Sequence, residues 1–484
     1  MEYESVLKLL LERGFFFPSS EIYSDAPAGF WEAGPLGLGL RNRFVDLWRR
    51  ELIRRDGMIE MEGSQIMPAS VFRASGHLES FADPIATCKQ CKSATRIDKL
   101  LEKHTREIVP EGLPESEYQD LIERHDVKCP SCGGQLDTIR LFNMMFRLGI
   151  GAGNDDAYLR PETCQSIFVD FLRLFKVMRC KLPIGIAQHG KSFRNEISPR
   201  QSLIRLREFY QAEIEIFFNP DADAKFEKFE AEKDTVLRIK KADGTEAVQR
   251  CADFVNENIL PSRLAGYYLA LLQKFYGTAG LDLNRARFRE LGKMERAFYS
   301  SSGFDFEVET SIGWLELVAC NYRGDYDLSR HSEVSKRDIH VMDGLDKVVP
   351  HVFELSMGVD RSLYAILEHN FREEEQRVVL GLKPFLAPIQ AGVFPLITRD
   401  GLPERAQSVY RQLCVDFSCF YDGSGSIGRR YRRGDEAGFP FAITVDHQTL
   451  SDGTVTIRYR DSMEQSRVSL TELSDKLRDL LAYS

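Results

Sequence analysis

The stretch SFRNEISPR, residues 192–200, stands just before EFYQAEIEIFF, residues 208–218, in which apolar and polar residues alternate as they do along a β-strand. Because strand side chains alternate between the two faces of a sheet, Arg194 and Glu196 are expected to point the same way. A cross-strand ion pair on a solvated face explains this arrangement. A sheet surface that grips an anionic, hydrogen-bonding ligand explains it equally well, so the stretch alone leaves both interpretations open.

Neighbouring residues add to the second interpretation. Arg194 offers a planar fork for a phosphate or a carboxylate, and Glu196 can accept a hydrogen bond from an amino group. Arg205 and Arg207 lie in or beside the following turn, where cations can follow a polyphosphate. Phe209 offers a ring on which a base can stack. The pattern therefore predicts a nucleotide-like ligand, with a charged hairpin that binds nothing as the alternative.

GVDR, residues 358–361, is expected to open a helix directly behind a strand. Gly358 allows close approach of the backbone. Arg361 falls in the first helical turn, where a cation is unfavourable because of the helix dipole. A bound anion or a stacked base would offset that cost; the alternative is an ordinary surface arginine.

Four of the ten cysteines form two CxxC pairs, Cys88 with Cys91 and Cys129 with Cys132. Two such turns can place four thiolates around one tetrahedral Zn²⁺, and four thiolates leave no open position for catalysis. The residues between the pairs, 92–128, exceed the common spacing, so an insertion must loop out. We therefore predict structural zinc, with a redox pair or four incidental thiols as the alternatives.

Composition and charge narrow the class of protein. The chain has 484 residues, enough for about two to four domains, and its 43% hydrophobic and 28% charged residues are ordinary for a soluble globular protein. The sequence contains no apolar run long enough to predict a membrane span. The pattern of residues 1–20 favours an amphipathic helix over a signal peptide. We expect a cytoplasmic protein. The net charge of −9 argues against indiscriminate DNA coating but allows a local nucleic-acid footprint.

The order of the predicted elements indicates two main folding units. A helix over 36–57 precedes a strand closed by Pro68. Residues 219–300 are charged and are predicted to form a mostly helical insertion, and residues 351–369 form a strand that runs into a helix. From residue 385 strands alternate with helices, which predicts a small α/β domain.

Taken in order, the strand ending in Pro68, the FRxE hairpin and the strand–helix unit with GxDR resemble motifs 1, 2 and 3 of class II aminoacyl-tRNA synthetases. Longer stretches resemble the glycyl-tRNA synthetase family in its homodimeric archaeal/eukaryotic-type form. These stretches are RGFFFPSSEIYSDAPAGFWEAGPLG (13–37), SGHLESFADP (75–84), FNMMF (142–146), YLRPETCQSIF (158–168), GKSFRNEISPR (190–200), YDLSRHSE (326–333) and GSIGRRYRRGDEAGFPFAITVD (425–446). The resemblance covers nearly the whole chain and is weakest in 219–300.

The resemblance implies an α+β fold: a class II catalytic domain, in which helices flank an antiparallel sheet, followed by a C-terminal α/β anticodon-binding domain. The implied reaction is ATP-dependent formation of glycyl-adenylate, then transfer of glycine to the 3′-terminal adenosine of tRNA(Gly), by a homodimer. The implied boundaries are 1–87 and 133–375 for the catalytic domain, 88–132 for an inserted zinc module, 219–300 for a helical insertion and 385–484 for the anticodon-binding domain.

The resemblance also implies residues for ATP and Mg²⁺. Arg194 is implied to hold the α-phosphate and the substrate carboxylate, Glu196 to read the adenine amino group, and Phe209 and Arg361 to cover the two faces of the adenine. Glu316 resembles the acidic residue that carries Mg²⁺. The implied catalytic residues are Arg194, Glu196 and Arg361, and the implied ATP-binding set is Arg194, Asn195, Glu196, Ile204, Arg205, Leu206, Arg207, Glu208, Phe209, Glu316, Leu317, Gly358, Val359, Asp360 and Arg361.

The implied glycine pocket is rich in carboxylates. Several carboxylates at one point are costly unless they meet a cation, and the ammonium group of glycine is that cation. The implied glycine-binding set is Arg96, Glu162, Phe209, Gln211, Glu213, Arg323, Glu354 and Ser356. In the C-terminal domain a basic cluster is implied to bind tRNA, with a solvated turn as the alternative; it consists of Arg429, Arg430, Arg432 and Arg433.

The sequence departs from the family pattern at Cys164 and Ser166, where alanine and glycine are usual, and at Tyr210. Two other functions therefore stay open. A synthetase-like binding protein that has lost catalysis should lack charged site residues, which this chain retains. A class II synthetase for another small amino acid, such as serine, threonine or proline, is opposed by the acid-lined pocket.

Overall fold

The structure is a computed structural model that describes residues 2–107, 109–110, 113–199, 202–297 and 299–483, without the side chain of Glu2. Arg200 in the opening stretch and residues 108, 111 and 112 of the predicted zinc module lie outside the described residues.

The hairpin predicted from the opening stretch lies inside a large, mostly antiparallel sheet. Its strands are Ile184–Phe193 and Glu208–Phe218, and the second of them also pairs with His351–Gly358. The described residues form nine strands of this sheet, in the order Glu246–Arg250, Val236–Lys240, Ala286–Glu290, Ser302–Thr310, Gly313–Gly324, His351–Gly358, Glu208–Phe218, Ile184–Phe193 and Ile59–Glu60.

Side-chain alternation gives this sheet one face covered by the main set of helices, and a second face that the helix Gln165–Val177 covers in part, through Phe171 stacked on Phe217. On the strand Glu208–Phe218, Ala212, Ile214 and Ile216 join the main apolar core, while Gln211 and Glu213 point to the opposite side. Burying one large apolar side chain contributes about 1.5–3 kcal/mol, so the register with this face inward is strongly favoured. The covering helices are Pro35–Trp48, Arg263–Thr278 and Val359–His369.

The segment 219–300 differs from the helical insertion that the sequence predicts. It contains the long helix Arg263–Thr278, but it also contributes three strands to one edge of the large sheet. The charged residues in and around these strands obscure their alternation, because the strands are half exposed. After this segment the chain continues in two strands, Ser302–Thr310 and Gly313–Gly324, joined by a tight turn next to Gly313, whose φ is +105°.

The region of the CxxC pairs has its own small core around Ile97, Leu101 and Tyr118. Three short strands and two helices build it, and the sheet begins before residue 88 and ends after residue 132. The strands are Ala94–Arg96, Ala82–Thr87 and Arg140–Asn143, and the helices are Ile97–Thr105 and Glu115–Arg124.

The C-terminal region forms the α/β arrangement that the sequence predicts, with a separate core. In its described residues five strands occur in the order Cys419–Tyr421, Ala391–Pro395, Phe441–Val445, Thr454–Tyr459 and Gln465–Ser469, the first three parallel. Its helices are Leu402–Leu413, Ile427–Glu436, His447–Asp452 and Leu473–Leu481.

The remaining elements are short. The other helices are Glu2–Glu12, Ala69–Ala74, His77–Ser80, Gln165–Val177, Cys251–Asn256 and Tyr326–Ser335, with a π-helical turn at Arg49–Arg54 and 3₁₀ turns at Ser202–Ile204, Pro220–Lys225, Glu227–Ala231 and Leu283–Arg285. The other strands are Phe16–Pro18, Trp31–Ala33, Ile66–Pro68, Arg147–Ile150, Asp155–Leu159, Val341–Asp343, Asp346–Val348, Phe371–Glu374 and Arg377–Leu380. None of the described helices is both long and apolar enough to cross a membrane.

Candidate active site

A cleft of about 730 Å³ opens on the second face of the large sheet, beside the part that the helix Gln165–Val177 covers. It gathers side chains that are far apart in the sequence, from the hairpin loop, from the strands Gly313–Gly324 and His351–Gly358, and from the helix Ile97–Thr105. The predicted ATP and glycine residues that line it are Glu162, Arg194, Glu196, Ile204, Arg205, Leu206, Phe209, Gln211, Glu316, Leu317, Glu354, Ser356, Gly358, Asp360 and Arg361.

Arg194 and Glu196 lie in the loop beyond the strand, because Ile184–Phe193 ends one residue before Arg194. Both line the same cleft, although strand alternation is not the reason. Arg194 Nε donates to Pro161 O at 3.1 Å, and the guanidinium carbon lies 5.4 Å from the centre of the Phe209 ring. A planar cation next to an aromatic ring can hold a phosphate beside a stacked base.

Two ion pairs stand at the mouth of the cleft. Arg205 Nε lies 3.6 Å from Glu196 Oε2, and Arg361 Nη1 lies 3.3 Å from Glu316 Oε2. Exposed pairs of this kind contribute only about 0–1 kcal/mol. A polyphosphate can therefore replace the carboxylates as the partner of Arg205 and Arg361 with little loss of free energy.

Some predicted ATP residues lie close to the cleft but do not line it. Arg207 Nε donates to Glu196 O at 3.0 Å and Nη1 to Ala28 O at 2.8 Å, so Arg207 braces the loop rather than facing the cleft. Glu208 is paired with Lys191. The residues in this group are Asn195, Arg207, Glu208 and Val359.

The floor of the cleft consists of buried carboxyl groups. Glu162 Oε1 accepts from Gln165 Nε2 at 2.9 Å and lies 3.3 Å from His77 Nε2. Burial opposes the ionisation of Glu162, but the neighbouring His77 and Arg323 hold its pKa well below the usual range. Glu162 is therefore a carboxylate at neutral pH and can bind a cation.

Glu213 lies behind the cleft surface, under Gln211 and Ser356. It accepts hydrogen bonds from Thr163 Oγ1, from Ser356 Oγ and from Gln211 Nε2, the last at 3.2 Å. Burial raises the pKa of Glu213. Gln211 Oε1 is buried and has no hydrogen-bond partner among the described residues, so an acceptor is available to an ammonium group in the cleft.

Arg323 balances the carboxyl groups from beneath. Its Nη1 donates to Glu354 Oε1 at 2.8 Å, and Nε and Nη2 donate to the two oxygens of Asp327 at 2.7 and 2.9 Å. Burial disfavours its charge, but Asp327 and Glu354 raise the pKa of Arg323 well above the usual range. At 2% exposed it does not line the cleft. This corrects the expectation that it touches glycine: Arg323 positions Glu354 instead.

Arg96 is the third implied glycine ligand, with Glu213 and Arg323, that does not line the cleft. Its Nη1 lies 3.0 Å from Asp83 Oδ2, and its Nε donates to Asp98 Oδ1 at 2.8 Å. These nearby carboxylates hold the side chain away from the cleft. The cations of this region that do line the cleft are Lys99 and Arg106.

Asp305, Arg289 and Tyr299 also line the cleft, and none of the sequence motifs predicts them. Arg289 Nη2 donates to Asp305 Oδ2 at 2.8 Å. The ring of Tyr299 lies against Arg323, whose guanidinium carbon is 3.7 Å from the ring centre. The alternation of acidic and apolar residues in FDFEVET, residues 304–310, is a signal that could have found Asp305; nothing in the sequence marks Tyr299.

The four paired cysteines converge as predicted. Cys88 Sγ lies 3.5 Å from Cys132 Sγ, Cys91 Sγ lies 3.6 Å from Cys129 Sγ, and all four sulfurs lie within 4.8 Å of one another. A disulfide would need about 2.05 Å, whereas sulfurs about 2.3 Å from a tetrahedral Zn²⁺ stand about 3.8 Å apart. The donor set and its geometry therefore fit zinc.

Two stretches match nucleotide-binding patterns by their letters. GIAQHGKS, residues 185–192, fits GxxxxGK[ST], but it lies inside the strand Ile184–Phe193 and forms no loop. GSGSIG, residues 423–428, fits GxGxxG and leads into the helix Ile427–Glu436 of the C-terminal sheet. Neither stretch contributes a residue to the described lining of the cleft.

Comparison with known proteins agrees with this geometry. Residues 146–370 match the family described as tRNA synthetase class II core domain (G, H, P, S and T), and residues 388–480 match the anticodon binding domain. The chain is 38% identical to the glycine–tRNA ligase of Methanothrix thermoacetophila, and 37% identical to those of Methanocaldococcus jannaschii and Thermococcus sibiricus. These matches cover 99% of this chain and 97%, 99% and 99% of the three relatives. The chain belongs to the glycine–tRNA ligase family.

Membership of the glycine–tRNA ligase family confirms the resemblance based on the FRNE loop and GVDR. The class II core and the anticodon-binding domain, both of mixed α and β content, agree with the predicted fold class for these two parts.

Within the region matched by the anticodon-binding family, the four predicted tRNA-binding arginines differ in exposure. Arg429 and Arg432 are exposed on the helix Ile427–Glu436. Arg430 is 1% exposed and donates to backbone carbonyls of the surrounding loops, and Arg433 is paired with Asp422. The burial of Arg430 contradicts a direct contact with tRNA, because its guanidinium satisfies carbonyl groups inside the domain.

The buried carboxyls make the stability of the protein dependent on pH. Burial raises the pKa of Asp305 and that of Glu354 to about 8, so each binds a proton more tightly when folded than when unfolded. The stabilisation that proton binding by these two groups gives to the folded state is complete below about pH 4, and it is lost as the pH rises through about 8. Asp305→Asn should flatten the fall in unfolding free energy between about pH 5 and 8, by up to about 1.4 kcal/mol per pH unit.

Urea unfolding at a series of pH values measures this slope. Glu309→Gln, an exposed carboxylate on the same strand, is the matched control and should keep the slope of the parent protein. An unchanged slope in Asp305→Asn would show that Asp305 ionises normally in the folded protein.

Proposed function

We propose that the protein charges tRNA(Gly) with glycine in two steps: formation of glycyl-adenylate from glycine and ATP, then transfer of glycine to the 3′-terminal adenosine. The observation that carries this proposal is the juxtaposition, in one cleft, of Arg194, Phe209 and Arg361 with a pocket floored by carboxyl groups. The first group suits a nucleotide, and the second suits an amino acid without a side chain. Membership of the glycine–tRNA ligase family supports both steps.

ATP would bind at the hairpin loop. Phe209 and Arg361 would cover the two faces of the adenine, and Glu196 would accept from its amino group. Arg194 would hold the α-phosphate, with Arg205 toward the pyrophosphate end. The proximity of these five side chains in the described cleft supports this assignment.

Mg²⁺ would be held by Glu316, which lines the same cleft as Asp305. Carboxylate oxygens are its preferred protein ligands, and the ion would neutralise charge on the phosphates. The Arg361–Glu316 pair shows that a cation already stands beside this carboxylate.

Adenylate formation needs positioned anions more than it needs a base. The glycine carboxylate attacks the α-phosphorus, and pyrophosphate leaves. Arg194 would hold the two reacting groups together, which turns a bimolecular step into an effectively unimolecular one. The same guanidinium would stabilise the negative charge that grows on the α-phosphate in the transition state.

Glycine would be selected by charge and by space. Glu162, Gln211 and Ser356 line the pocket where the ammonium would bind, and Glu354 closes it, held by Arg323. An enzyme that must prefer a larger substrate gains only about 1–3 kcal/mol from each additional methylene. A pocket that fits only glycine avoids this limit, because a larger amino acid would clash with its walls. The pocket therefore favours glycine over alanine and serine.

We propose the domain boundaries and domain roles that the family resemblance implies. Residues 1–87 and 133–375 would form the catalytic domain, 88–132 the zinc module, 219–300 an insertion that includes sheet strands, and 385–484 the domain that binds the anticodon region. The anticodon-binding match over 388–480 supports the last of these. We also propose a cytoplasmic homodimer, as the resemblance implies.

Glycine-dependent exchange between ATP and pyrophosphate tests the first step. Glycine should support exchange, whereas alanine and serine should not, because a side chain would meet the crowded carboxyl floor. Arg194→Ala should lower the exchange rate by about 10²–10³.

Arg411→Ala, which removes an exposed arginine on the helix Leu402–Leu413, is the control and should retain full exchange. Normal exchange by Arg194→Ala would refute the role of Arg194. Exchange with serine instead of glycine would refute the specificity.

Arg429 and Arg432 should act only in the tRNA step. Changing Arg429 and Arg432 together to Glu should weaken tRNA charging at least about tenfold, because two favourable phosphate contacts become repulsive. Exchange without tRNA should be unchanged, because these residues lie outside the cleft.

Changing Arg405 and Arg411 to Glu alters the charge of the same domain equally and is the matched control. Equal loss of charging in both double variants would mean that total charge matters and the position of Arg429 and Arg432 does not. Loss of ATP–pyrophosphate exchange in the Arg429 and Arg432 double variant would refute the assignment of these residues to the tRNA step alone.

Zinc bound by Cys88, Cys91, Cys129 and Cys132 would stabilise the module that supplies Lys99 and Arg106 to the cleft. Cys129→Ser should lower the zinc content from about one ion per chain and unfold this module at a lower temperature, since structural zinc contributes directly to folding. Elemental analysis and thermal unfolding measure both effects. Cys180→Ser is the control, and unchanged zinc in Cys129→Ser would disprove the site.

A further inference from the structure

Glu215 is a buried carboxyl group without a hydrogen-bond partner. Its side chain is fully buried, and neither Oε1 nor Oε2 is bonded to any described residue. Such groups are rare, because an unsatisfied buried polar group costs about 1–3 kcal/mol or more. The proposed reaction does not use Glu215, so its unpartnered oxygens suggest that Glu215 binds a ligand of another kind.

Two other potential metal ligands lie beside it. A carboxylate oxygen of Glu215, an oxygen of Glu354 and Cys164 Sγ all lie within 4.8 Å of one another, and all three residues are buried. Glu215 faces Glu354 across paired strands, and Cys164 precedes the helix Gln165–Val177. Zinc–ligand distances of about 2.0–2.3 Å place ligand atoms about 3.3–3.8 Å apart in a tetrahedral site, so movements of about 1 Å would close the cluster on one ion.

The groups around this space carry both signs. Besides Glu215 and Glu354, the buried acidic groups facing it include Glu162, Glu213 and Asp327, and the described cationic groups include Arg323, Arg160 and, when protonated, His77. The case for a metal ion therefore depends on the donor set and on the unpartnered Glu215, and net charge does not enter it.

We propose that Cys164, Glu215 and Glu354 bind a thiophilic divalent cation such as Zn²⁺ beneath the glycine pocket, and that the bound ion opposes glycine. Binding releases to solvent the thiol proton that Cys164 donates to Glu162, together with any proton held by Glu215 or Glu354. The ion would share Glu354 with Arg323 and place a positive charge next to the site of the glycine ammonium. The metal site stands on the cluster alone; the opposition to glycine rests on the proposed function.

This site differs in affinity and in role from the four-cysteine site. One thiolate with two carboxylates binds Zn²⁺ less tightly than four thiolates do, because the thiolate is the softer ligand. The four-cysteine site should therefore fill first, and the second ion should bind only in excess metal. Cys164 is the one soft ligand of the second site, so its removal separates the two.

The test uses the full chain carrying one zinc ion, titrated with Co²⁺, whose thiolate complexes absorb light. Equilibrium dialysis with elemental analysis counts both metals. We expect one Co²⁺ per chain with thiolate absorption and no loss of zinc. Cys164→Ala should abolish the absorption, and Glu215→Gln should weaken Co²⁺ binding at least about tenfold. Cys414→Ala, which removes an exposed thiol, should leave the titration unchanged.

Exchange assays then test the consequence. Excess Zn²⁺ should raise the KM for glycine in the parent protein and in Cys414→Ala, and should leave the KM of Glu215→Gln and Cys164→Ala unaffected. No second ion, a second ion that survives Cys164→Ala, or cobalt that merely displaces zinc would overturn the site. Absence of glycine-dependent exchange in the presence of Mg²⁺ and without added Zn²⁺ or Co²⁺ would refute the proposed function instead, because the dialysis result does not depend on activity.

Discussion

The alternation of side chains along Glu208–Phe218 is the constraint on which the rest of the protein depends. Ala212, Ile214 and Ile216 must face the helices, because burying them supplies much of the stability of the sheet. Glu213 and Glu215 must then face the other way, and pairing with His351–Gly358 brings Ser356 and Glu354 opposite them. A shift of one residue would exchange the faces, so the acidic floor is a consequence of the apolar core.

The acidic floor in turn determines what the cleft can accept. Arg323 neutralises Glu354 and Asp327 from below, yet Glu162 remains a carboxylate and Gln211 leaves an acceptor unused. An ammonium group is the ligand that such a pocket lacks. Ligand binding adds stability to a folded state that binds it, so a bound ammonium group would compensate for a floor that is costly in the free protein. The buried carboxyl groups therefore both suit the cleft to an ammonium group and lower the local stability of the free protein.

Much of the fold could be predicted from the sequence, whereas individual arginines in the site could not. The hairpin, the strand–helix unit at Gly358 and the convergence of the four cysteines follow from local periodicity and spacing. Arg207 and Arg430 instead bind backbone carbonyls. A long guanidinium takes whichever oxygens the tertiary structure brings near, and those oxygens come from distant segments such as the loop at Ala28.

The sequence by itself determined the hairpin, the strand–helix unit at Gly358, the two CxxC pairs and the membership of the glycine–tRNA ligase family, because all four depend on short-range periodicity, spacing or long matched motifs. Only the tertiary structure decided that Arg96 faces Asp83, that the strands of 219–300 join the large sheet, and that Glu215 lacks a partner beside Cys164. These facts depend on which distant segments meet. Pairing between strands far apart in the chain sets those meetings, and no local pattern records them.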